Sequence, residues 1–259
     1  MTLMEFFGCA FISFGLPLAM FIFTIAQDPL RIIVLIASGF FWLLSLLLSS
    51  ILWYAVVPLR NQLAFGLVFS VFFQELFRFL FYKLLRRADE GLKKVSQVSG
   101  DENITPKDIN NKHIMAYVSG FGYGVLSGAF SIVNVLADMA GPGTIGILGD
   151  SQYFFLTTAF LTLCFIMLHT FWGVIFFNAL DTKRYYLVAG VVLSHLLVSC
   201  LTLLNQRTAE RHESLYLASL IPAYVVMIIA AFWAFITAGG SLQNIKIAFT
   251  CRKGRYEMD

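Results

Sequence analysis

Charge is what this chain has least of. Only 13 % of its 259 residues are Asp, Glu, Lys or Arg, where a soluble domain carries roughly a quarter, so a soluble globular protein is excluded. Its four cysteines form no pattern. Cys9, Cys164 and Cys200 sit in apolar segments and Cys251 in the C-terminal tail. With no CxxC or metal-type spacing, neither a disulfide framework nor a zinc site is indicated. Cys251, beside Arg252 and Lys253, fits either a palmitoylated or an unmodified thiol. There is no HExxH and no aspartate pair at membrane depth. Asp28, Asp138 and Asp150 fall at segment ends or in loops, where capping and solvation explain them. No basic n-region precedes the first apolar stretch, which carries Glu5 and reads as a retained span, not a cleaved signal peptide. Nothing points to a cofactor or to nucleic acid.

Apolar residues are abundant: 59 % hydrophobic, 16 % aromatic, mean hydropathy +0.79. A bilayer crossing needs about 20 mostly apolar residues, and seven such segments can be read, over residues 2–26, 30–57, 63–85, 114–138, 152–178, 185–205 and 214–240. The expected fold is an all-α integral membrane protein, one domain of seven transmembrane helices, with a polar loop over 86–112 and a basic tail over 241–259. Fourteen Lys and Arg fall on one side of this arrangement. Only Arg60, Arg207 and Arg211 fall on the other. The positive-inside rule then puts the N-terminus in the lumen or outside the cell and the C-terminus in the cytosol. The sequon Asn103-Ile104-Thr105 lies in the cytosolic loop and should stay unglycosylated.

Within the fourth span Gly120, Gly124 and Gly128 recur every four residues, flanked by Ser119, Ser127 and Ser131. Positions four apart share a helix face, so the three glycines form a flat groove that a neighbouring helix can approach closely. Packing within one bundle and packing against a partner both fit. Four ionisable residues at membrane depth also stand out, because such groups are expensive in lipid. Glu75 and Arg78 lie in the third span, His169 in the fifth and His195 in the sixth. At 1.5 Å rise per residue all four share a layer roughly 10–15 Å below the cytosolic edge. Glu75 and Arg78, three apart, can pair on one helix face. Three readings follow: a buried network that fixes helix register, a docking site for a partner's polar group or chain end, or a metal centre with Glu75, His169 and His195 as ligands or base. Arg78 beside the only carboxylate opposes a divalent cation. For a serine–histidine mechanism Ser194 points elsewhere on its helix, and Ser199 reads more simply as a packing serine. Trp42, Trp53, Trp172 and Trp233 are scattered and form no cofactor box, with Trp53 near an interface.

Long strings in fixed order carry a resemblance over essentially the whole chain: QDPLR at 27–31, FFWLLSLLLSS at 40–50, QELFRFLFYKLLRRADEGL at 74–92, AYVSGFGYGVLSGAFSIVNVLADMAGPGTIGILGDS at 116–151, LHTFWGVIFF at 168–177 and WAFITAGGSL at 233–242. The sequence resembles the anterior-pharynx-defective family, the seven-span scaffold subunit of γ-secretase. That resemblance implies a hetero-oligomer with presenilin, nicastrin and the presenilin-enhancer subunit, in membranes of the endoplasmic reticulum, Golgi and cell surface. Presenilin supplies the aspartates that cleave type I proteins such as Notch and the amyloid precursor, and this chain supplies no catalytic group. It further implies that Gly120, Gly124 and Gly128 serve assembly, and that His169 and His195 serve contact with presenilin and complex activity. The family has also been likened to intramembrane metalloproteases of prenylated proteins. Phe165 and His169 fit their FxxxH element, whereas Gln74-Glu75 replaces a Glu-Glu pair and Arg78 stands one position early. The alternative is therefore a metal-dependent protease using Glu75, His169 and His195. A seven-span receptor is disfavoured, since no DRY-like end closes the third span and no NPxxY-like end the seventh.

Overall fold

The computed structural model describes residues 3–59, 62–99, 111–140, 153–205 and 215–241. Seven α-helices are found there: α1 (Leu3–Thr24), α2 (Pro29–Ala55), α3 (Leu63–Ser99), α4 (Lys112–Ala140), α5 (Phe154–Asp181), α6 (Tyr185–Leu201) and α7 (Tyr216–Thr237). Each is long and apolar enough to cross a membrane, α6 when counted together with the 3-10 turn Thr202–Asn205 that continues it. The described residues contain no strand. The Gly/Pro-rich segment 141–152, the sequon at 103–105, Arg207, Arg211 and the tail with Cys251 lie outside them.

Helix ends follow from local chemistry. Pro29 sits in the first turn of α2, where a missing N–H does no harm. Asp28 caps that helix, its Oδ1 accepting from the Leu30 N–H at 2.8 Å. Two other helices end in the same hydrogen-bonding motif. After α7, Gly239 at φ 85° takes the left-handed position while the Gly240 N–H reaches the Phe235 carbonyl at 2.9 Å. After α5, the Arg184 N–H reaches the Ala179 carbonyl at 2.8 Å, and the left-handed residue is Lys183, at φ 57°.

One boundary differs from the hydropathy expectation. The polar stretch 86–112, expected to be a loop, is helical as far as Ser99 as a continuation of α3. Its residues are good helix formers, and two ion pairs hold it. Lys93 Nζ donates to Asp89 one turn back at 2.9 Å. Arg86 grips Asp181 at the end of α5 through two bonds of 3.0 and 2.6 Å, with the Tyr82 hydroxyl adding a third at 2.8 Å.

The bundle is built around α5. Its most apolar window is 78 % buried, against 17–39 % for the other six helices. It packs against α1, α4, α6 and α7, and Trp172, Phe176 and Phe177 are sealed within the core. The α4 helix lies between α5 and α2, while α3 packs against α2 and α6. Helices apolar all round are buried or membrane-embedded; α5 is both.

Candidate functional site

The glycine groove is filled by the chain's own α5. A Cβ on Gly120 would stand 2.7 Å from the Thr170 carbonyl oxygen and 2.8 Å from that of His169. One on Gly124 would stand 2.5 Å from the Ile166 carbonyl oxygen, and one on Gly128 2.5 Å from the Ile166 side chain. On the α5 side Gly173 meets the Gly120 Cα at 2.6 Å by the same measure. In lipid, where burying apolar surface drives little association, such backbone-to-backbone approach is what holds helices together. A second glycine contact, hidden in the sequence between two of the striped glycines, lies on the opposite face of α4. A Cβ on Gly122 would strike the Leu35 carbonyl and the Ser38 hydroxyl of α2. Glycine therefore clamps α4 on both sides within this chain.

That clamp brings α5 into register with α3 and α6, and the four ionisable residues converge. Glu75, Arg78, His169 and His195 are 5 %, 2 %, 1 % and 2 % exposed. Arg78 Nη2 lies 3.4 Å from Glu75 Oε1 and donates to His169 Nδ1 at 2.7 Å. A guanidinium can only donate, so His169 accepts at Nδ1 and carries its proton on Nε2. His195 Nδ1 lies 2.7 Å from the same Glu75 Oε1. A carboxylate paired with Arg accepts only, so His195 donates there and holds the opposite tautomer. The two imidazoles meet edge to face, centroids 4.9 Å apart, and Trp172 lies 4.7 Å from His195. Arg78 also sits 5.1 Å from the Tyr123 ring centroid, within cation–π range. Glu75 Oε2, Arg78 Nε and Arg78 Nη1 are buried without a hydrogen-bond partner among the described residues.

Polar neighbours extend this layer. Tyr123 donates to the Gln74 carbonyl at 2.6 Å, Trp42 Nε1 to Gln74 Oε1 at 3.2 Å, and Gln74 Nε2 to Ser70 at 3.1 Å. Beyond them lies a cavity of about 330 Å³ walled by Ser70, Gln74, Ser131, Thr158, Thr162, Ser199 and Thr202. A wider one of about 500 Å³ shares Leu67, Ser70 and Thr202 with it and reaches Trp53. Ser194 bonds the Val191 carbonyl, turned back onto its own helix. Of these neighbours, Tyr123 and Trp172 give a faint sequence signal, since each stands within one turn of a glycine or histidine already singled out.

The metal expectation meets Arg78. Glu75, His169 and His195 do come together, but the guanidinium occupies His169 Nδ1 and shares the Glu75 oxygen offered to His195. Among the described residues no group of three His, Cys, Asp or Glu side chains is disposed to hold a metal ion. The cluster binds one helix to another: Glu75 on α3 to α6, and Arg78 on α3 to α5. The Glu75 and Arg78 charges offset each other within it, while Glu75 Oε2, Arg78 Nε and Arg78 Nη1 stay without a partner.

The family model described as Aph-1 protein matches residues 4–241. The chain belongs to the Aph-1 family. The "Gamma-secretase subunit Aph-1" of Drosophila melanogaster is 54 % identical over 252 residues, covering 97 % of this chain and all of that protein. The "Gamma-secretase subunit Aph-1b" of Danio rerio is 49 % identical, over 97 % and 95 % of the two chains. The "Gamma-secretase subunit APH-1B" of Homo sapiens is 45 % identical, over 99 % and 97 %.

Proposed function

We propose that this chain is the scaffold subunit of a γ-secretase, an integral membrane protein without catalytic chemistry of its own. It assembles with presenilin, nicastrin and the presenilin-enhancer subunit. Near-complete coverage of relatives that carry the γ-secretase subunit name is the observation that carries this reading. The internal lock at Glu75, Arg78, His169 and His195 supports it, because the Arg78 guanidinium sits between the carboxylate and the first histidine, where a metal ion would have to bind. In this reading the N-terminus faces the lumen, the C-terminus faces the cytosol, and the complex resides in the endoplasmic reticulum, Golgi and plasma membrane. Gly120, Gly124 and Gly128 support assembly indirectly: they hold α4 against α5, and the outer faces of the bundle meet the partners. His169 and His195 likewise act by fixing α5 and α6 against α3, so that a presenilin-facing surface keeps its shape. Substrates are the type I membrane proteins that presenilin cleaves, Notch and the amyloid precursor among them.

Affinity purification of the tagged full-length chain in mild detergent, followed by quantitative mass spectrometry, tests the proposal. Presenilin and nicastrin should be recovered in near-equal amounts with it. A monodisperse, partnerless chain carrying stoichiometric zinc would overturn it in favour of a metal-dependent protease centred on Glu75, His169 and His195.

A further inference from the structure

A cleft of about 230 Å³ opens between α6 and α7 and is floored by Trp172 and Ile175 of α5. Leu187, Gly190 and Ser194 wall it on one side, Val226, Ala230 and Trp233 on the other. Seven residues separate Leu187 from Ser194, so the cleft runs about 10 Å along the helix axis. It is too small for a partner helix. A helix 10–12 Å across fills about 800 Å³ over that length, more than the roughly 590 Å³ of empty space here even with the open side counted, whereas a stretch of one polymethylene chain fits. The opening faces the bilayer: Leu193, Ile229 and Trp233 beside it are 65 %, 58 % and 48 % exposed. At Gly190 a Cβ would meet nothing within 4 Å, so its missing side chain leaves room and relieves no contact.

A basic turn lies beside one end of the cleft. Leu187 lies one turn from Lys183 and Arg184, both exposed at the α5–α6 turn and in no ion pair among the described residues. Tyr185 and Tyr186, 64 % and 69 % exposed, mark this turn as headgroup level. Lys183 holds the left-handed position at φ 57°, the place that Gly239 fills after α7 in the same motif. A non-glycine residue there is strained by roughly 1–2 kcal/mol, and strain of that kind collects at functional positions. The turn thus holds a cation where backbone geometry alone would favour glycine.

We propose that the α6–α7 cleft is a phospholipid site: it takes one acyl chain of an anionic glycerophospholipid, whose phosphate is held by Lys183 and Arg184. Charge complementarity selects the headgroup, because the leaflet on the positive side of a membrane protein is the one rich in anionic lipid. The inference goes beyond the scaffold reading and stands whether or not that reading does.

Native mass spectrometry of the full-length chain, equilibrated with equimolar palmitoyl-oleoyl phosphatidylserine and phosphatidylcholine, tests it. The chain should retain one phosphatidylserine with about tenfold preference over phosphatidylcholine. Gly190→Leu should fill the cleft and cut phosphatidylserine occupancy at least about fivefold, since it removes the acyl-chain seat. Lys183→Gly combined with Arg184→Gln should reduce the headgroup preference to within about twofold, because the attraction is chiefly electrostatic. Lys183→Gly alone should melt no lower than the parent chain in lipid-free detergent, which separates loss of binding from loss of folding. Three results would each overturn the proposal: equal retention of the two lipids or of a sterol by the parent chain, unchanged occupancy in Gly190→Leu, or loss of the bound lipid when the chain is isolated with its protein partners.

Discussion

Alanine substitutions along the glycine stripe discriminate packing against α5 from packing against another protein. At Gly124 the new Cβ would stand 2.5 Å from the Ile166 carbonyl oxygen, and at Gly120 2.7 Å from that of Thr170. Carbonyl oxygens of a helix cannot rotate aside, so α4 must retreat until contact is ordinary, by roughly 0.7–0.9 Å. A gap of 0.5–1 Å forfeits a quarter to a half of each lining contact's attraction. Overpacking of this kind costs about 1–3 kcal/mol. Gly128 differs, because the atoms in the way are Cγ1 and Cδ1 of Ile166, and a flexible side chain yields for under about 1 kcal/mol. Gly190, with open space in the interior of α6, is the clash-free control and should gain up to about 1 kcal/mol from alanine's helix propensity. The expected order of destabilisation is Gly124→Ala and Gly120→Ala well above Gly128→Ala, with Gly190→Ala at or above the parent's melting point. A fluorescence-monitored melt of the isolated chain in mild detergent reads that order, at about 2–4 °C per kcal/mol. Ile166→Ala should rescue Gly128→Ala and leave Gly124→Ala unrescued, since the latter clash is with backbone. The reasoning fails if Gly120→Ala and Gly124→Ala melt like Gly190→Ala yet lose complex, for then the groove faces a partner.

Further outcomes follow from the polar contacts. Arg78→Met should destabilise the chain by about 3–5 kcal/mol, as it strands Glu75 in the core, and adding Glu75→Leu should recover most of that loss in the same melt. Asp181→Asn should loosen the two-bond Arg86 contact by about 1–2 kcal/mol, with enhanced hydrogen exchange confined to the end of α5 and the polar extension of α3. Asp28→Ala removes the α2 cap and should cost about 1 kcal/mol, and Asp28→Asn should restore nearly all of it.

How much was legible in the sequence differs from residue to residue. Glu75, Arg78, His169 and His195 stood out because ionisable groups are rare at membrane depth, and helix rise alone put them in one layer. Their pairing was not readable: which histidine takes the arginine and which the glutamate depends on helix rotation about the bundle axis. The glycine stripe announced a close-packing face without naming its occupant, and Gly122, lying between two striped residues, concealed the contact with α2. The central place of α5 was also hidden. In water an all-apolar helix reads as buried, whereas in lipid the outer helices are equally apolar. Its polar residues Thr157, Thr162, His169 and Thr170, on several faces and all buried, were the usable hint. Hydropathy ended the third span at residue 85 because the side chains become charged there; the backbone stays helical to Ser99 because those same residues favour helix and pair across turns.

The central claim, that the buried cluster locks helices and performs no chemistry, is tested most directly by turnover per assembled complex. Complexes would be captured through the tagged chain carrying Glu75→Gln, and cleavage of a type I membrane substrate measured against the amount of presenilin recovered, with and without a zinc chelator. The account predicts less complex but turnover per complex within about threefold of the parent, insensitive to chelator, since no transition-state contact is lost. Full assembly with turnover reduced by orders of magnitude, or abolished by chelation, would contradict it.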